Sequence, residues 1–262
     1  MVDNDKSVRH NRFVMDPDQA SSEYGQQVVA AGFLLVVPFA VPDWLANPRL
    51  PAQMISADAF LATIGPGLWA LPWVHQHKDY EKERAAFGID DAALPDVVAW
   101  VDEKMNAGDW CWPRIFTRLS PAREFLARFH PSGAPKTVGL GLPVEFLDRV
   151  LHEHPDVPGM GVDGYVETLR RRQPLAEGGV ALGYEILGEE PGGDFDSWHV
   201  NGLEPLVHRE LGIEVNEWGL IRNIEAARRA AEFIGRPDVP AEPVSWRPWL
   251  LVDYGPSGPA AT

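Results

Sequence analysis

Ser197-Trp198-His199 sets a hydroxyl and an imidazole two residues apart, with Asp196 beside them and Glu185 and Glu204 in the same third of the chain. These are the types a nucleophilic relay uses: a hydroxyl to attack, an imidazole to take its proton, and a carboxylate to orient the ring. His199, Asp196 and Glu185 are therefore the acid–base candidates. No Gly-x-Ser-x-Gly elbow accompanies them, and relay members seldom sit side by side in one loop. The plainer expectation is a polar loop in which Ser197 and Asn201 bond the backbone. His75 and His77 follow an expected strand, where residues two apart share a face, so they are candidate metal ligands. His152 and His154 close a helix, where residues two apart diverge. There is no His-Glu-x-x-His run. The single cysteine, Cys111, rules out an intrachain disulfide. Between Trp110 and Trp112 it reads as packing rather than as a nucleophile. Gly139-Leu140-Gly141-Leu142-Pro143 lies between an expected strand and a helix, but it lacks the third glycine of a dinucleotide loop and the Gly-Lys-Ser/Thr of a P-loop. No cofactor is expected.

The elements that would position these groups follow from periodicity and punctuation. The apolar run at 28–39 predicts a buried strand with Pro38 at its edge or exit, and it is too short to span a bilayer. Residues 41–52 read as a proline-punctuated loop. Ser56 or Asp58 could cap a short helix over 57–64, followed by a strand at 68–74 and a charged helix at 79–87. Leu94, Val97, Val98, Val101 and Met105 share one face of a helix over 94–105. Ser120-Pro121 with Glu124 reads as a helix start, the helix running to 129. A strand at 137–142 leads into an amphipathic helix at 144–153. Further helices are expected at 165–172, 203–211 and 225–234, and strands at 181–187 and 249–254. With helices and short strands interspersed and no regular βαβ repeat, the fold class is α+β with mixed or antiparallel strands. Residues 1–25 read as a flexible leader and 256–262 as a tail. Residues 26–154 and 162–255 form an N-terminal and a C-terminal half, or one continuous domain, with the break at 155–161.

The chain has 262 residues and a formal net charge of −15. That balance argues against nucleic acid and against an anionic membrane surface. It suits a basic protein partner, which complementary potential would steer. One cysteine fits a reducing, cytoplasmic setting.

In the second half, Gly178-Gly179, Gly183 to Gly188, Trp198 with Asn201-Gly202-Leu203, Asn216 with Gly219-Leu220-Ile221, and Trp246 with Pro248-Trp249 form a distinctive pattern. In it the chain resembles a loosely defined group of uncharacterised bacterial proteins, a group without an established activity from which no catalytic residue carries over. In acidity and general style it is similar to immunity proteins that neutralise the toxins of competing bacteria. The reading that follows is a cytoplasmic, immunity-like binder of a basic protein. Its surface would span residues 194–204 and 214–218 and include Trp198, Asn201, Glu204, Glu217 and Trp218, with Trp198 or Trp218 as the anchor. The alternative is a small-molecule hydrolase or transferase using a His/carboxylate site in the C-terminal half. A deep pocket where His199 meets carboxylates would favour the enzyme.

Overall fold

The computed structural model describes residues 27–45, 47–58, 88–111, 115–130, 135–154, 164–189 and 195–255. The expected elements at 68–74 and 79–87, the body of the helix at 57–64, the leader, the tail, the break at 155–161, and His75 with His77 lie outside these residues.

The first strand, β1 (Val28–Val36), is buried at every position. Continuous burial explains why its sequence is apolar without alternation: both of its faces are covered. It stops short of Pro38, and the chain then forms β2 (Phe39–Ala40), which pairs with β3 (Gln53–Met54) in a separate two-stranded ribbon. On one side β1 pairs with β6 (Lys136–Pro143) along its whole length. Beyond β6 come β9 (Ser245–Asp253), β7 (Val180–Glu189) and the short β8 (Phe195–Ser197). On the other side of β1 lie β5 (Ile115–Phe116) and β4 (Trp110–Cys111). All pairings in this seven-stranded sheet are antiparallel, and strands from both halves of the chain are neighbours in it through β6 and β9. The fold is α+β, as the interspersed pattern predicts, and among the described residues there is no βαβ repeat.

Among the described residues, six helices cover the sheet. Val97 and Trp100 of α1 (Leu94–Asn106), Phe125 of α2 (Leu119–Phe129), Val207 of α5 (Glu204–Leu211), and Ala227, Ala230 and Ile234 of α6 (Ile224–Ile234) pack with Phe33, Tyr184, Ile186 and Leu250. Leu147 and Val150 of α3 (Val144–Glu153), and Tyr165, Val166 and Leu169 of α4 (Gly164–Arg170), pack with Leu34, Val138, Leu140, Leu187 and Trp249. Helix α2 begins at Leu119, with Arg118 extended at its N-cap and no capping side chain, so Ser120 is a helical residue rather than the cap expected of it. Among the described residues no helix is long and apolar enough to cross a membrane.

Gly139 and Gly141 do not form a phosphate loop; they lie within β6. A Cβ there would come within 2.7 Å of the Tyr254 ring and 2.4 Å of Val28 Cγ1, respectively. The two glycines make room for side chains that lie across the sheet. Strand β9 starts earlier than the sequence suggests and includes Pro248. Its register permits this. The Ile186 carbonyl accepts from the Trp198 amide at 3.1 Å, so the main-chain groups of Ile186 point towards β8. Its partner Pro248 is then a non-hydrogen-bonded pair with β7, and its nitrogen faces the opposite side. On that side β6 pairs with β9 only as far as Gly141↔Leu250, so no strand requires a donor from residue 248.

Candidate functional site

Glu185 points from the middle of β7 into a sealed polar cluster. It is wholly buried, as are Ser56, Asp58, Ser197 and His199. Its Oε1 accepts from the Ser56 hydroxyl at 2.5 Å and the Ser197 hydroxyl at 2.7 Å, and its Oε2 accepts from the Ala57 amide at 2.8 Å. Asp58 Oδ2 accepts from the Ser197 amide at 2.8 Å. Residues 56–58 are thereby pinned to β7 and β8. One step earlier, Ile55 donates its amide to the Trp218 carbonyl at 3.1 Å.

Burial is the main influence on Glu185 and raises its carboxyl. The bonds from Ser56, Ala57 and Ser197 oppose this, the Asp58 charge adds to it, and the result is about 7. Burial pushes His199 the other way, to about 4, against the Gly219 carbonyl and the Glu204 charge. The ring is therefore neutral at pH 7. Nε2–H donates to the Gly219 carbonyl at 2.8 Å, which leaves Nδ1 as a buried acceptor without a partner among the described residues.

The structure thus brings Glu185, Ser197 and His199 close together, but not as a relay. The Ser197 hydroxyl donates to Glu185, and His199 approaches Ser197 Oγ through its main-chain amide at 3.2 Å. The ring nitrogen that does form a bond holds a loop carbonyl. Asp196, half-buried in β8, has a main-chain pairing with Gly188. Glu185, Ser197 and His199 are each 0% exposed, so among the described residues they do not present the open pocket that would favour an enzyme. Among the described residues no group of three His, Cys, Asp or Glu side chains could hold a metal.

The expected binding surface changes in its key member. Trp198 is 0% exposed, packed in the core with Ile186, Leu203 and Val207, and therefore cannot contact a partner. Glu204 is also buried. It accepts from Asn47 Nδ2 at 3.0 Å and from Arg49 Nε at 3.2 Å, which ties the loop of residues 41–50 to the start of α5. Asn201 is half-buried, Glu217 is exposed, and the half-buried Trp218 ring lies under the Lys136 ammonium at 5.5 Å. An exposed aromatic outside the expected surface is Trp44. It is 65% exposed, on the loop that Asn47 and Arg49 hold to Glu204. Its signal is an aromatic isolated in a proline-rich loop beside Asp43.

Comparison of the chain with protein-family models, with curated proteins and with solved structures finds no match in any of the three.

Proposed function

We propose that this chain works by binding a basic protein, in the manner of immunity proteins, through the loop face that carries Trp44. The supporting observation is a large aromatic left in water on a loop fastened by charge-assisted bonds to a buried carboxylate. Presenting a tryptophan from a fixed loop lowers the ordering cost of association, and tryptophan is among the strongest interface anchors. Asp43, Glu214 and Glu217 supply acidic rim groups, and the net charge of −15 favours a cationic partner. The lone cysteine suits a reducing compartment such as the cytoplasm. The enzymatic alternative is weaker, because the hydroxyl, imidazole and carboxylate it needs are used to hold loops in place.

The test compares wild type with Trp44→Ala in affinity capture from native-host lysate at low and high salt, followed by affinity measurement on the recovered protein. We expect one basic partner, weakened by salt, and a loss of at least about 2 kcal/mol in Trp44→Ala, roughly 30-fold in Kd, with an unchanged circular-dichroism spectrum. A partner held equally by Trp44→Ala would reject this face. No stoichiometric partner at either salt would shift the reading to a small-molecule enzyme, with a metabolite thermal-shift screen to follow.

A further inference from the structure

Where β6 leaves the sheet at Pro143, a cleft of about 510 Å³ opens between α3, α6 and the first residues of β9. Its volume falls in the range of small-ligand sites. Glu145, Phe146 and Arg149 line one wall, Arg228 and Glu232 another, and Ser245, Trp246 and Arg247 the floor. The register that turns Pro248 away from β7 does the same for Trp246, two residues earlier and opposite Gly188. The main-chain amide and carbonyl of Trp246 thus face an edge that has no partner strand among the described residues.

Three guanidinium groups line this cleft, yet none has charge to spare. Arg228 is paired with Glu145 and Glu225, Arg247 with Glu153 and Glu189, and Arg149 with Glu153. Glu232 lines the cleft, is exposed, and has no cation among the described residues. The lining guanidiniums are each paired with carboxylates at or behind the wall (145, 153, 189 and 225), with Glu189 also 3.3 Å from His154, so Glu232 is the lining carboxylate left without a cation among the described residues. The indole of Trp246 and the ring of Phe146 add aromatic faces, which attract cations.

We infer that this cleft is a site for an organic cation, a guanidinium or primary ammonium group, that pairs with Glu232 and lies against Trp246. The site is separate from the Trp44 face and does not depend on the partner-binding proposal. The test is calorimetric titration of the full chain with agmatine, as a free small molecule, and with N-acetyl-arginine amide, as a peptide-borne side chain. Each is repeated on Glu232→Gln and Glu232→Lys, with citrate as an anionic control. The exposed, unpaired position of Glu232 allows both variants to fold. We expect saturable one-to-one binding to the wild type, weakened at least about tenfold in Glu232→Gln and abolished in Glu232→Lys. Tighter binding of agmatine would identify a metabolite site, and tighter binding of the amide a docking site for a basic side chain. Non-saturating binding that the variants leave unchanged, or citrate binding strengthened by Glu232→Lys, would overturn the inference.

Discussion

Replacing Glu185 with Gln tests whether the buried carboxylate is a titrating latch. Its carboxyl sits at about 7 in the folded chain against an ordinary 4.5. Between those values the native state holds a proton that the unfolded chain has released. Stability is therefore full below 4.5, declines as pH rises through the window, and is flat above about 7. At about 1.4 kcal/mol per unit the decline amounts to about 3 kcal/mol. His199 acts in the opposite direction: held at about 4 against 6.5, it contributes stability above 6.5 that is lost as pH falls towards 4. Between 4.5 and 6.5 the two contributions nearly cancel, so a wild-type pH profile alone is uninformative, and the difference between variant and wild type isolates Glu185. The geometry accommodates both protonation states. Oε2 faces an amide that can only donate, whereas Oε1 faces two hydroxyls that can turn to accept. A proton on Oε1, or the amide group of Gln in its place, meets acceptors. Urea unfolding at pH 5 should find Glu185→Gln within about 1 kcal/mol of wild type. At pH 8 the variant should be the more stable, by up to about 3 kcal/mol. A gap of the same size at both pH values would refute the reasoning.

Arg247→Met should destabilise the fold by about 3–5 kcal/mol in urea unfolding at pH 7, because the guanidinium is 2% exposed and its loss leaves the buried Glu189 carboxylate with only the His154 ring at 3.3 Å. That deficit should narrow in acid. Burial works to raise Glu153, but bonds from Arg149, Arg247 and Ser245 overcome it and hold the carboxyl at about 2, so its contribution is present above 4.5 and lost as pH falls towards 2. Trp198→Ala should cost about 3–5 kcal/mol in thermal or urea unfolding, as a buried indole removed from a core does. Trp44→Ala should stay within about 0.5 kcal/mol in the same assay. Equal effects of the two tryptophan substitutions would reject the division between core and surface drawn here.

The α+β class and most elements in the described residues are readable from the chain because they rest on local signals. Helical periodicity marks 94–105 and 144–153, and an unbroken apolar run marks β1. What sequence does not show is which polar groups meet across long separations. Ser56 is a reasonable helix cap by its neighbours, yet its hydroxyl binds a carboxylate 129 residues away. Trp198 and Trp218 look alike as aromatics beside polar residues. Only packing distinguishes a fully buried indole from a half-buried one. The pattern of Gly183, Asn216 and Gly219-Leu220-Ile221, which resembles a functional signature, has a structural explanation. Asn216 Oδ1 accepts from the amides of Trp218 and Leu220, and its Nδ2 donates to the Leu182 carbonyl. Ile221 pairs with Tyr184, and Gly183, at φ +141°, allows the loop to approach, since a Cβ there would lie 2.9 Å from Leu220 Cβ.

The same economy accounts for the sealed cluster. Glu185 holds residues 56–57, His199 holds the carbonyl of residue 219, and Asn216 holds the turn between them. Each chemically capable side chain in this region is used as a fastener. A catalytic group must exchange partners with a substrate, and every exchange here would leave a buried donor or acceptor unpaired, at about 1–3 kcal/mol each. Fasteners of this kind accord with the proposed binding role. They fix the loops around the Glu204-anchored segment, and a fixed loop can keep Trp44 in water without collapsing onto the core. Under the proposed binding role, the polar residues that suggest chemistry from sequence serve to hold the exposed face in place. If the proposed binding role holds, Glu185→Gln should leave partner affinity unchanged at pH 8, while Arg49→Ala, which leaves buried Glu204 with only the Asn47 amide, should lower both affinity and stability.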